Sequence, residues 1–322
     1  MLAATLPDIA RIAAELTVLI DAFPAHLQPV LAASGLKSIQ LAGRQLLPIV
    51  QGGMGIGASA HRLAGAVAAQ GGVGTLNAVD LRRHHPDLMA RTSGLSQRNG
   101  CDADGLGLIA MNIMRAVSEY AAYVKRSLEH GIDRVVVGAG PPLDLPDLAV
   151  DHAKALLVPM LSVSRGVALI VKKWERKRRL PVAIVIEHPR LAGGHLGVAR
   201  IIDLSDPRFE FDRVIPESLA FLRQAGLDGR VPLLAAGGIR SHDDIGRIQA
   251  LGGAGVQLGT PLAVTTDGDA SDDFKKVPAE ARDEDMVEFS SVAGLPARAA
   301  ATPWLRAYLK LNPKPDSPLR WQ

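Results

Sequence analysis

Val182-Ala183-Ile184-Val185-Ile186-Glu187 is an unbroken apolar run that ends on a single carboxylate. A strand that alternates apolar and polar residues keeps one wet face. A continuous run has none, so this stretch reads as a strand covered on both sides, as in a parallel sheet wrapped by helices. Glycines and a histidine follow in Ala192-Gly193-Gly194-His195-Leu196-Gly197. Parallel α/β enzymes keep their chemistry beyond the carboxyl ends of their strands, and an imidazole there can titrate near neutral pH. The adjacent glycines let the main chain approach a flat ligand closely.

Working outward, runs of the same kind recur at 47–51, 73–76, 106–112, 134–138, 156–161, 231–236 and 255–259. Helical spacing fills the gaps at 62–70, 117–130, 163–179, 217–225 and 242–251. The last of these opens on Ser241, with Asp243 and Asp244 in its first turn, a sound N-terminal cap. Eight strands alternating with helices predict an α/β fold, a (β/α)8 TIM barrel. Ile9, Ile12, Ala13, Leu16, Leu19, Ile20 and Phe23 trace one apolar face, so residues 1–38 read as an N-terminal helical extension. That face is expected to pack on the main domain or on a second copy of the chain, as in a homodimer. The barrel is expected to span 39–265. Within it the long link at about 197–216, with Asp203, Asp206, Pro207 and Asp212, reads as a lid or part of a small inserted domain. Residues 266–322 are expected to complete that lid or substrate domain and to end in a proline-rich tail.

Composition excludes several classes. Of 322 residues 48% are hydrophobic and 21% charged, enough apolar material for a large core. Lysine plus arginine number 36 against 33 acids, too small an excess to point to nucleic acid. The basic run from Lys172 to Arg179 closes a predicted helix, where cations suit the dipole. Cys101 is the only cysteine, which excludes an internal disulfide and fits a reducing, cytoplasmic setting. Nothing near it in sequence would activate the thiol. Asp8, Arg11, Glu15 and Asp21 interrupt the N-terminal apolar stretch, which argues against a signal peptide or a membrane span. No His/Asp/Glu spacing suggests a metal site.

The strand ends carry the chemistry. After Gly52-Gly53-Met54, the series Gly55-x-Gly57-x-x-Ala60 matches the dinucleotide fingerprint and would make this an NAD-binding Rossmann domain. That reading requires an acid at the end of the next strand, and Val73-Gly74-Thr75-Leu76-Asn77 offers none. The other reading is a glycine loop lying against the face of a ring system, with Met54 as a soft apolar contact. Ala236-Gly237-Gly238 and Gln257-Leu258-Gly259-Thr260 end the seventh and eighth strands. Barrels commonly hold a phosphate there through backbone N–H groups. Asn112 closes the third strand, either as an amide for the edge of a heterocycle or as a helix cap. Among nine histidines only His195 directly follows such a glycine pair. His84, His85, His130, His152 and His242 fall in predicted loops or helices, whereas His61 and His188 lie near strand ends.

Taken together, Gln51-Gly-Gly-Met54, Met111-Asn112, Gly138-Ala-Gly140, Ala192-Gly-Gly-His195, Ala236-Gly-Gly238 and Gln257-Leu-Gly-Thr260 resemble the nitronate monooxygenase (2-nitropropane dioxygenase) family. That family is related to FMN-dependent enoyl-ACP reductases and NADH:quinone reductases. The resemblance spans about Ile39 to Val264 and implies a TIM barrel with a small lid domain and non-covalent FMN. It implies that Gly237, Gly238, Gly259 and Thr260 hold the FMN phosphate. Gly52, Gly53, Met54, Asn112, Gly193 and Gly194 would line the isoalloxazine, with Gln257 near the phosphate or ribityl chain. His195 would be catalytic, as base or as hydrogen-bond partner of the nitro group. The substrates implied are a nitronate or nitroalkane and O2. The alternatives are an NAD(P)H-dependent FMN reductase of enoyl thioesters or quinones and a non-catalytic flavin-binding protein. Family members often carry a glutamate where this chain has Leu191, so the rim of the site differs here.

Overall fold

The structure, a computed structural model, describes residues 25–55, 57–78, 107–132, 134–195, 197–198, 200–291 and 295–311; of Gly194 and His195 it describes the main chain only. The expected N-terminal helix to Phe23, His84, His85, Cys101 and the tail beyond residue 311 lie outside the described residues.

A hairpin of β1 (Ile39–Leu41) and β2 (Arg44–Leu46) leads into eight parallel strands. These are β3 (Ile49–Gln51), β4 (Val73–Asn77), β5 (Leu108–Met114), β6 (Arg134–Gly138), β7 (Leu156–Leu161), β8 (Ile184–Glu187), β10 (Leu233–Ala236) and β11 (Gly255–Leu258). They pair in that order and β11 returns to β3, so the barrel closes as predicted. The expected runs at 47–51 and 231–236 each contain a proline, Pro48 and Pro232, and the strands begin just after it. A proline has no N–H for the ladder.

Side-chain size sorts the two faces of each strand. Val50, Val73, Ala110, Val136, Val158, Ala183, Val185 and Leu234 pack inside the barrel, and Ile39, Leu41 and Leu46 of the hairpin join the same cluster at its amino-terminal end. Larger residues on the alternate positions, among them Ile113, Leu161, Ile184 and Ile186, face the helices. Each such buried side chain contributes roughly 1.5–3 kcal/mol.

The helices are α1 (Gln28–Ser34), α2 (His61–Ala69), α3 (Tyr120–Glu129), α4 (Leu145–Leu148), α5 (Ser164–Glu175), α6 (Phe211–Gln224), α7 (His242–Ala250), α8 (Thr260–Ala263), α9 (Asp272–Glu280) and α10 (Pro303–Leu311). Helix α7 carries the expected cap: the Ser241 hydroxyl accepts the Asp244 N–H, and the Asp244 carboxylate accepts the Ser241 N–H. Helix α6 starts earlier than the predicted 217 and includes Pro216. A proline inside a helix removes one backbone bond, but Phe211, Val214, Ile215 and Leu222 bury a full apolar face here, which outweighs that loss. The stretch from Phe211 to Pro216, expected within the lid segment, is thus part of a helix packed on the barrel's main core.

A second sheet involves the segment after β8. Its order is β12 (Met286–Ser290), β13 (Pro296–Ala300) and β9 (Gly194–His195), all antiparallel. Ala297 stands opposite His195 and Arg298 opposite Gly194. Ala192 and Leu204, with Val198 and Ile201 against them, make a small separate apolar cluster beside it. Among the described residues, no helix is long and apolar enough to cross a membrane.

Candidate active site at the barrel mouth

Strand alternation carries the inner faces of the barrel upward from apolar to polar. Two residues beyond Ala110 stands Asn112, two beyond Val185 stands Glu187, and Gln257 lies in register with Ala236. Asn112 and Gln257 are each only 8% exposed, and Asn77 is buried at the end of β4. Buried side-chain amides need partners, and those of Asn112 and Gln257 sit where a ligand can add to what the chain supplies.

The glycine stretch after β3 is fixed from several sides. Gly52 donates its N–H to the Leu258 carbonyl at 2.8 Å. Gln51, fully buried, accepts the Thr75 N–H at 2.7 Å and donates to the Thr75 carbonyl at 2.9 Å, supplying by side chain what the short β3–β4 ladder lacks. Gly53 passes so near Asn112 that a Cβ would collide with the Asn112 side chain, whose amide donates to the Gly53 carbonyl at 3.4 Å. Gly53→Ala should therefore push Asn112 off its position and cost about 1–3 kcal/mol, as overpacking does. Chemical denaturation of the variant beside the wild type measures it.

The exits of β10 and β11 lie side by side. Among the described residues the main-chain N–H groups of Gly237, Gly238, Gly259 and Thr260 donate to no protein acceptor. Gly237 and Gly238 have φ of 98° and 72°, and a Cβ on Gly238 would lie 2.7 Å from Leu191 Cδ1. Positive φ and the approach of the 188–192 turn both demand glycine there. Gly259 is open, its nearest neighbour being the Met54 sulfur at 3.7 Å from a built Cβ. Gly193 is exposed with nothing nearby, and the main chain of Gly194 and His195 forms β9.

The structure rejects the Rossmann reading. The sheet is a closed barrel, and the helix terminus that would hold a pyrophosphate is already occupied by a carboxylate of the chain. Asp269 Oδ2 accepts the N–H groups of Ala60 and Leu63 at 2.8 and 3.1 Å, and Oδ1 accepts that of Arg62 at 3.1 Å. The loop between is closed on itself, with Met54 N–H donating to the Ser59 hydroxyl at 2.8 Å. Local sequence carries no sign of a cap more than 200 positions away.

Two titratable groups end β8. Burial pushes the Glu187 carboxyl up to about 7, and no ion pair or hydrogen bond holds it among the described residues. Glu187 is the residue sequence reasoning missed. Its signal was parity: Ala183, Val185 and Glu187 alternate with two isoleucines. His188 turns the other way, buried edge-on against Phe211 with ring centroids 5.5 Å apart and its Nε2 3.6 Å from Glu210. Burial lowers its pKa, and Glu210 partly opposes that. His188 therefore packs in the shell outside the barrel mouth. His61, His130 and His242 are exposed on helices or their ends. Among the described residues no group of His, Cys, Asp and Glu is assembled as metal ligands.

Comparison with known proteins agrees with this architecture. The FabK structure from Thermotoga maritima is similar with a TM-score of 0.61 and 21% identity, over 88% of this chain and 78% of that one. The nitroalkane oxidase of Streptomyces ansochromogenes gives 0.58 and 20%, over 86% and 81%. The enoyl reductase domain of MlnA from the macrolactin biosynthesis cluster of Bacillus amyloliquefaciens gives 0.56 and 14%, over 85% and 66%. At such identities the likeness concerns the fold. No curated protein matches the sequence. The sequence profile of one family, described as nitronate monooxygenase, matches residues 101–317. That span covers six of the barrel strands in full, β9 and its two sheet partners, and both glycine-marked exits of β10 and β11, and on it the chain belongs to the nitronate monooxygenase family of oxidoreductases.

Proposed function

We propose that this protein is an FMN-dependent oxidoreductase that oxidises alkyl nitronates with O2 to a carbonyl compound and nitrite. The observation that carries the reading is the group of unengaged amides at Gly237, Gly238, Gly259 and Thr260, beside a mouth floored by Asn112 and Gln257. The residues present fit the cofactor: the amides suit a phosphate, the open faces of Gly193 and Gly259 leave room for a flat ring, and the buried amides suit a heterocycle edge. When bound, FMN supplies the redox chemistry, accepting electrons from the substrate and passing them to O2.

The chain's own work is to bind and orient. Gly237, Gly238, Gly259 and Thr260 hold the phosphate, with Gln257 beside it. Gly52, Gly53, Met54, Asn112, Gly193 and Gly194 line the ring, and His195 holds the nitro oxygens by hydrogen bond. The β9–β13 pairing ties the main chain of His195 to the C-terminal segment and so fixes where that imidazole starts. A small molecule and O2 are the only partners this function requires.

An absorbance spectrum of the purified protein, then anaerobic mixing with a nitronate, tests the reading. A flavin spectrum that changes on mixing is expected, and His195→Ala should keep the flavin and lose turnover. Colourless protein with no gain in melting temperature on adding FMN would overturn flavin binding. Bleaching by NADH or NADPH, with no response to nitronate, would make the protein a reductase instead.

A further inference from the structure

Glu187 stands at the end of β8 on the inner face of the barrel, in register with Ala236. Ser162, just past the end of β7, flanks it on the other side. Gly197 closes over both: a Cβ built there would lie 2.6 Å from the Ser162 hydroxyl and 3.9 Å from Glu187 Oε2. Gly197 is two residues past His195, so the segment carrying the histidine lies directly over this carboxyl. The charged side chains on the neighbouring strand exits are paired with other groups. Arg190 pairs with Glu288, Arg240 with Asp283, and His188 faces Glu210.

A partly buried carboxylate with no cation paired to it among the described residues costs stability and adds nothing to packing. Such groups mark sites where a proton is handled. Hydroxyl and carboxyl side by side under the histidine segment form a place to take up a proton from a bound carbon acid.

We propose that Glu187 is the catalytic base that removes the α-proton of a neutral nitroalkane, which makes such compounds substrates alongside their nitronates. The proposal rests on the nitronate-oxidising reading above and divides the labour in it, with His195 holding the nitro group and Glu187 taking the proton. In the step, the α-C–H bond breaks and an O–H bond forms on a Glu187 carboxylate oxygen. The electron pair left on carbon delocalises into the nitro group, giving the nitronate. No oxidant or reductant takes part, and the proton leaves Glu187 for water afterwards. Desolvation at the barrel mouth raises the basicity of this carboxyl above that of an ordinary one, in the direction a base for a weak carbon acid needs.

The test compares wild type with Glu187→Gln and Glu187→Asp, each with FMN added, on 2-nitropropane and on the preformed propane-2-nitronate. Removing a general base costs about 10²–10⁴-fold. The ratio of nitroalkane to nitronate turnover should accordingly fall at least about 100-fold in Glu187→Gln and recover in part in Glu187→Asp. A second measurement needs no turnover: wild type kept anaerobic in D2O should exchange the α-hydrogen of 2-nitropropane, seen by NMR, and Glu187→Gln should not. Equal losses on both substrates, or exchange that survives in Glu187→Gln, overturn the proposal. Wild type active on the nitronate alone also overturns it and leaves the nitronate reading standing. Wild type active on neither overturns both.

Discussion

Glu187→Gln is expected to stabilise the folded protein at alkaline pH and to leave it almost unchanged near pH 4.5. The ordinary value of this carboxyl is 4.5, and desolvation at the barrel mouth pushes it up to about 7. Between those values the folded chain binds a proton that the unfolded chain has released, so stability falls as pH rises through that window. Below 4.5 both states carry the proton and no penalty exists; above 7 the penalty is complete. A displacement of this size corresponds to roughly 3 kcal/mol. Glutamine has the same shape and never ionises, so the variant removes the penalty. Urea unfolding of both proteins at pH 4.5 and pH 8, without FMN, gives the two differences. A difference independent of pH would show that the carboxylate finds a compensating partner. A gain in stability bought with a loss of chemistry is the mark of a functional group.

Asp269→Ala should have the opposite sign and a similar size. Its two oxygens accept three main-chain N–H groups at the start of α2, those of Ala60, Arg62 and Leu63. Bonds to a charged acceptor contribute about 1.5–3 kcal/mol each, and loss of a cap costs about 0.5–2 kcal/mol. Water can reach Arg62, which is exposed, and so offsets part of the loss. A net cost of about 2–4 kcal/mol is therefore expected, with Asp269→Asn losing less because one acceptor oxygen remains. The same contact anchors the loop from Met54 to Ser59, so FMN affinity should fall with stability in Asp269→Ala. Calorimetry and a flavin fluorescence titration measure the two effects. Unchanged values in both would mean that solvent replaces the cap in full.

Much of the barrel was legible because buried parallel strands are written as short apolar runs. The limits of that reading are physical. Pro216 stops a helix by propensity, and only the buried face of Phe211, Val214, Ile215 and Leu222 reveals that α6 passes through it. Strand β9 is two residues long and exists through its pairing with β13, about 100 positions away, so no local pattern encodes it. In the proposed site, the glycines at 52, 53, 237, 238 and 259 lie just past strand ends that the apolar runs already marked. Glu187 and Asp269 were not, since one depends on which face of β8 points inward and the other on a contact across the chain.

The contact between Gly52 and Leu258 has a consequence for how the protein assembles. It lies where the first barrel strand, β3, meets the last, β11, pairing residues separated by some 200 positions. Such distant pairings form slowly, because the chain between them must first give up its freedom. The glycine rim, Gln257 and the β11 exit belong to this seam, so the proposed flavin site comes into being only when the ring of strands shuts. A ligand that bridges the seam would bind the closed barrel alone and hold it shut by mass action, acting as the clasp of the fold.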